Sequence, residues 1–320
     1  MKEFSSKFAP LIVEYLEFRM AMGITTVTHE NNLAYFDRFC AEYYPLLESL
    51  SKEAVRGWIS YERSQEHRGL LNKVSDIRMF AKYLGNGSYM LPAGIVPKNP
   101  PFVPYILTDE ELTAFFRAVD NLKYEYDPFI QETAPVLFRL LYTCGIRPRE
   151  ARLIKRANIC FATGEILIDK AKRRKQRIIV MSSDMLEMCK RYDIKRSVVA
   201  RGEECFFVRS DGLPLANGQL RYIFKLCWTA ANPGVPEGNL PNVRPYDLRH
   251  RYASAILQKW LDEGRNLYAM LPYLRAYMGH ERFSDTAYYI HILPENLLRS
   301  PGVDWGAIDS TVPEVSVWSR

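Results

Sequence analysis

The sequence predicts a mainly α protein with a small antiparallel β-sheet, an α+β fold in two domains. Three observations predict it. Apolar residues recur at helical spacing through most of the chain. Two short β-rich runs, GEILIDKA and QRIIVM, flank a basic turn between residues 164 and 181. A proline-rich stretch separates a purely helical first part from a mixed second part. The length of 320 residues suits two domains, and an apolar content of 48% supplies real cores and excludes a disordered chain.

Residues 1–88 read as helices only. Ser5 and Ser6 are capping types ahead of Phe8, Leu11, Ile12, Tyr15 and Leu16, and Gly23 ends that helix. A second helix fits 26–44, where Pro45 stops it, and others fit 52–64 and 70–84. Gly85-Asn86-Gly87 then breaks the chain. Residues 89–107 read as a linker, because Pro92, Pro97, Pro100, Pro101 and Pro104 exclude regular structure and stiffen the segment.

Thr108 to Glu111 has the pattern of a capping box and opens a second domain, 108–298. Helices fit 109–121, 129–144 and 149–156. The two β-rich runs pair as a hairpin, and ECFFVR (204–209) reads as a third short strand. Helices return at 218–231, 247–262, 267–278 and 285–291. Residues 299–320 follow no period, yet carry Trp305 and Trp318. Such a tail calls for a docking surface, here assigned to a neighbouring subunit.

The net charge of +6 is compatible with a polyanionic partner. Six cysteines are scattered in mostly apolar surroundings, and no two share C-x-x-C spacing. That argues against a zinc site and for buried free thiols in a reducing compartment. The start, MKEFSSKFAP, lacks the apolar core of a signal peptide, and no run reaches transmembrane length. A cytoplasmic protein without a membrane partner is the expectation. The first helix begins almost at once, so no separate N-terminal arm domain is expected.

Four clusters carry chemistry. Arg147 lies in Gly145-Ile-Arg-Pro-Arg-Glu150, at a junction between two helices, where its side chain can meet an anion. Glu150 can hold an arginine in orientation. The turn from Lys170 to Arg177 has six basic residues out of eight, including Lys172, Arg173, Arg174, Lys175 and Arg177. It is suited to DNA phosphates, and a lysine there can protonate a leaving alkoxide. In Arg244-Pro-Tyr-Asp-Leu-Arg-His250, Tyr246 and Arg249 share a helix face, while His250 points elsewhere. An Asp247–Arg251 pair would explain part of that charge. Finally, His280 precedes Tyr289 by nine residues, so the two meet only if the chain bends, and Ser284 and Asp285 offer the break. A phenol is a poor nucleophile at neutral pH. It becomes a useful one against a phosphodiester held by fixed cations.

These residues, in this order, resemble the tyrosine recombinase family, also called phage integrases. The resemblance runs through motifs over about 105–295. It rests on Arg147 with Glu150, Lys172 in the hairpin, Arg249, His280 and Tyr289, above all on DLRHRYAS and the GH-x8-Y spacing. It implies a helical core-binding domain ahead of a catalytic domain, forming a C-shaped clamp on a duplex. The implied partners are double-stranded DNA with inverted-repeat half-sites and other copies of the chain, as a tetramer on DNA. It also implies metal- and cofactor-independent chemistry. Tyr289 attacks a phosphodiester to give a 3′-phosphotyrosine, Lys172 protonates the leaving oxygen, and Arg147, Arg249, His280 and Tyr246 hold the phosphate. A mobile element is the implied setting. Tyr246 departs from the family, which has histidine there, and a phenol cannot carry an imidazolium's charge. Lys175 is the alternative to Lys172, and Tyr288 to Tyr289. A DNA-binding protein with weak or lost cleavage and a type IB topoisomerase are the competing readings.

Overall fold

The computed structural model describes residues 2–24, 26–66, 69–85, 87–97, 104–169, 176–200 and 204–291. The chain divides into two compact units, Met1–Phe102 and Val103–Arg320. No helix among the described residues is long and apolar enough to cross a membrane.

The first unit holds α1 (Ala9–Ala21), α2 (Val27–Tyr43), α3 (Lys52–Ser64) and α4 (Leu70–Leu84). Ile12 and Leu16 of α1 pack with Leu33, Phe36, Trp58, Ile77 and Phe80 in one apolar core. Each fully buried side chain of this size contributes about 2 kcal/mol. Helix α1 starts later than Ser5 and Ser6 suggest. Their backbone N–H groups donate instead to the buried Asp37 carboxylate at 2.7 and 3.1 Å. That pins the entering chain onto α2.

The second unit begins at the Thr108–Glu111 capping box, with both of its reciprocal hydrogen bonds present. Its helices are α5 (Asp109–Asp120), α6 (Ile130–Thr143), α7 (Pro148–Arg152), α8 (Ser183–Val199), α9 (Asn217–Ala231), α10 (Pro245–Asp262), α11 (Leu267–Met278) and α12 (Phe283–His291). Strands β1 (Ile159–Cys160), β2 (Glu165–Ile168) and β3 (Arg177–Val180) form one antiparallel sheet in that order, with Ile166 opposite Ile179. Phe115, Phe138 and Phe224 stand at the centre of the main core. A smaller cluster joins Leu257 of α10, Leu271 and Leu274 of α11, and Tyr289 and Ile290 of α12. It holds the C-terminal helices against one another beside the cleft.

Several expectations need correction. The third strand is Ile159–Cys160 and not ECFFVR, where Cys205 and Val208 make only isolated bridges to Lys155 and Pro214. Phe206 and Phe207 are both fully buried, so that segment does not alternate as a half-exposed strand must. Helix α8 lies in a stretch without a predicted element. Its inward face is Met185, Cys189, Tyr192 and Arg196, a stripe too narrow and too polar to register as amphipathic. The helix expected over 149–156 ends at Arg152, because Ile154 turns into the core and a short 3-10 turn, Arg156–Asn158, follows. Of the six thiols, Cys40, Cys144, Cys189 and Cys227 are buried, but Cys205 is partly exposed and Cys160 exposed.

Candidate active site

Two left-handed glycines build the floor of the site. Gly145 ends α6 at φ 57°, and Gly279 caps α11 at φ 65°. Both conformations cost little only in glycine. At Gly145 a Cβ would also run into the Tyr252 ring. These turns aim two carbonyls at two arginines. Gly279 accepts from Nη2 of Arg147 at 2.7 Å, and Gly145 accepts from Nη1 of Arg249 at 2.6 Å.

Arg147 is the N-cap residue of α7. Its backbone N–H donates to Oε2 of Glu150 (3.1 Å) and its Nη1 to Oε1 (2.7 Å). Arg177, at the start of β3, grips the same carboxylate from the other side with Nη1 to Oε1 at 3.1 Å and Nη2 to Oε2 at 2.7 Å. Burial alone would push the Glu150 carboxyl up. The hydrogen bonds and charges of Arg177 and Arg147 more than reverse this and hold it at about 2. Glu150 thus orients Arg147 as the sequence suggests. Arg177, grouped with the hairpin cations for DNA contact, is mostly buried and spends its guanidinium on Glu150 and on the Tyr277 carbonyl (2.9 Å).

Arg249 is fully buried on α10. Besides Gly145 it donates to the Met278 carbonyl (2.7 Å) and meets Nε2 of His280 at 2.8 Å. A guanidinium has no acceptor, so His280 Nε2 must be the unprotonated nitrogen. His280 Nδ1 then donates to Thr286 Oγ1 at 2.8 Å. Burial and then the charges of Arg249 and Arg147 hold His280 at about 3, neutral at ordinary pH. One nitrogen of Arg249, Nε, is buried with no hydrogen-bond partner among the described residues.

The chain bends between α11 and α12 as the His280–Tyr289 spacing requires. The break is the left-handed Gly279, and α12 restarts at Phe283, ahead of Ser284 and Asp285. Tyr289 comes back to stack its ring on His280, with centroids 5.8 Å apart and planes 16° apart. Its hydroxyl, however, meets Nδ1 of His250 at 3.1 Å. The sequence reading turned His250 away from the site, yet His250 lines the same cleft. Burial, the largest cause, raises the Tyr289 phenol to about 12 despite the neighbouring Arg249.

One cleft of about 700 Å³ opens onto this cluster, with Arg249 buried behind it. Arg147, Arg177, Tyr246, His250, His280, Tyr288 and Tyr289 line it. Tyr246 interacts with Arg147 and sets its ring 5.1 Å from that of His250. The expected Asp247–Arg251 pair does not form. Asp247 takes Arg244 at 3.1 Å inside the helix cap, and Arg251 pairs with Asp109. Lys172, Arg173, Arg174 and Lys175 fall outside the described residues, as does the 299–320 tail.

Guanidiniums, two neutral imidazoles and tyrosine hydroxyls around one cleft suit reversible attack on a phosphodiester. Residues 106–296, well over half of the chain, match the model of the phage integrase family. The chain belongs to that family, the tyrosine recombinases, which are enzymes of site-specific recombination. Among its relatives is a protein of Sinorhizobium fredii described as an integrase/recombinase. It is 27% identical over 302 residues, spanning 91% of this chain and 93% of the relative. The tyrosine recombinase XerC of Oceanobacillus iheyensis is also 27% identical, over 89% of this chain and 91% of that protein. In fold, the chain is similar to the Tn1549 transposon integrase in complex with a circular intermediate DNA, with a TM-score of 0.66 at 16% identity. That match covers 89% of this chain and 95% of that structure. The XerH recombinase bound to its difH substrate gives a TM-score of 0.64 at 18% identity, over 86% and 78%.

Proposed function

We propose that this enzyme binds double-stranded DNA at inverted-repeat half-sites and cuts one strand at each through a 3′-phosphotyrosine on Tyr289. It then rejoins the strands to new partners as a tetramer, in the integration or excision of a mobile element. The DNA partner is argued from the relatives and from solved neighbours that hold DNA. The chemistry is argued from the site. Arg147 and Arg249 neutralise the non-bridging oxygens, and the unpaired Nε of Arg249 is a donor that an anion would satisfy. Tyr246 adds a hydrogen bond to the same phosphate, His280 supports the site by holding Arg249 and stacking on Tyr289, and Lys172 protonates the leaving 5′-oxygen. The 5′-hydroxyl of the partner duplex reverses the step and conserves the bond energy.

The single observation that carries this reading is the convergence of Tyr289 with His280 and Arg249 from two helices and a turn. The test is covalent capture on a nicked duplex carrying the inverted repeat that the wild-type protein enriches from a randomised DNA library. Tyr289→Phe is expected to abolish the adduct and leave binding nearly unchanged. An adduct that survives in Tyr289→Phe and disappears in Tyr288→Phe would assign the nucleophile to Tyr288.

A further inference from the structure

Of the two described histidines beside Tyr289, His280 has both ring nitrogens committed elsewhere. His280 Nε2 accepts from Arg249, and its Nδ1 donates to Thr286. Position 246, one helical turn before His250, carries a phenol and no imidazole. What remains is Nδ1 of His250, 3.1 Å from the Tyr289 hydroxyl. Across the ring, Nε2 faces Oδ1 of Asp247 at 4.0 Å. That separation is longer than a hydrogen bond, but a proton on Nε2 faces the negative carboxylate favourably, and this tautomer leaves Nδ1 as the acceptor for the phenol. Asp247 is wholly buried and anchored to Arg244 by 2.7 and 3.1 Å hydrogen bonds, so it cannot swing away.

We propose that His250 is the base that takes the proton of Tyr289 as its oxygen attacks phosphorus. The inference rests on the phosphotyrosine reading above. The balance is complete. The Tyr289 O–H bond breaks and its proton moves to Nδ1 of His250. The Tyr289 oxygen bonds to phosphorus, the P–O5′ bond breaks, and the O5′ leaves with a proton from Lys172. Rejoining returns both protons.

Asp247 offsets the charge that forms on the imidazolium. The groups facing His250 are Arg244, Tyr246, Asp247 and Arg249 from its own helix and cap, Tyr289 from α12, and His280 from the turn before it. Burial and then Arg244 and Arg249 hold the imidazole at about 4 in the free protein, so it is neutral and able to accept. A bound phosphodiester brings negative charge against those arginines and raises it. The phenol turns acidic only as its bond to phosphorus forms, so the transfer is concerted with attack.

The experiment measures single-turnover adduct formation on the selected nicked duplex from pH 6 to 9, for wild type, His250→Asn and His250→Ala. Asparagine keeps a polar atom near Nδ1 but cannot take a proton. Both variants are expected to bind the duplex and to be slower by about 10²-fold or more at pH 7. They should regain rate about tenfold per pH unit, because attack then waits for ionised phenol, while wild type stays nearly flat. A His250→Asn enzyme close to wild type would make His250 a hydrogen-bonding prop and overturn the proposal. So would a uniform loss with no change in pH dependence, or loss of DNA binding in both variants. A wild-type protein that forms no adduct would instead sink the phosphotyrosine reading, and this inference with it.

Discussion

The carbonyl oxygen of Gly279 accepts a 2.7 Å hydrogen bond from Arg147, 132 positions earlier in the chain. Arg249 answers it in the other direction, reaching the Gly145 carbonyl just ahead of Arg147. Each arginine is therefore fixed by the turn that carries another part of the site. The α6–α7 junction and the α11–α12 bend are cross-braced through these two side chains.

Glu150→Gln should damage both fold and chemistry. The buried carboxylate balances Arg147 and Arg177, and removing one partner of a buried pair costs about 3–5 kcal/mol. The linkage sign is that of a depressed acid. Its folded pKa of about 2 lies below the unfolded carboxyl near 4.3, so the stabilisation is full above about pH 5. It is lost as pH falls from there toward 2. Denaturant melts from pH 7 to pH 3 should show wild type losing more stability than Glu150→Gln over that window. Equal losses would mean the carboxyl is not held down.

Arg249→Lys keeps the charge but cannot bridge the carbonyls of Gly145 and Met278 and meet His280 together. Single-turnover cleavage is expected to fall by about 10²-fold or more, the scale for loss of a preorganised donor. Arg147→Ala should cost a similar factor. Near-normal rates in either variant would remove that residue from the site.

Gly145→Ala should be destabilising well beyond a surface change. The positive φ costs about 1–2 kcal/mol, and the clash with Tyr252 adds overpacking of about 1–3 kcal/mol. A drop in melting temperature of several degrees is the expected reading. An unchanged melting temperature would mean that the turn refolds freely and that its geometry is not required.

For the basic turn, outside the described residues, the test is ionic. Neutralising Arg173 and Arg174 together should lower the salt slope of DNA binding by about two units if both meet phosphates. An unchanged slope would leave the run as a solvated tip.

The long helices with wide apolar stripes were legible from the sequence, and so was the order of Arg147, Arg249, His280 and Tyr289. Helix α8 was not, because Arg196 on its inner face spends its guanidinium on the carbonyls of Cys205 and Phe206. A buried arginine satisfied by backbone carbonyls of the segment after its helix looks, in sequence, like a surface residue. His250 was misread on its offset of one residue from Arg249, when its offset of four from Tyr246 is the one that counts. Four residues place it on the Tyr246 side of the helix, and the two rings stand 5.1 Å apart. What brings it to the site is α12 folding back along α10 after Gly279, a tertiary fact that local periodicity does not contain.

Tyr289 reaches His280 and His250 only because α12 folds back after the left-handed Gly279. The short turn between the two helices therefore acts as a phase setter. One residue inserted after Glu281 would rotate α12 by about 100°. That change is expected to carry the Tyr289 ring off His280 without altering a single residue of the cleft.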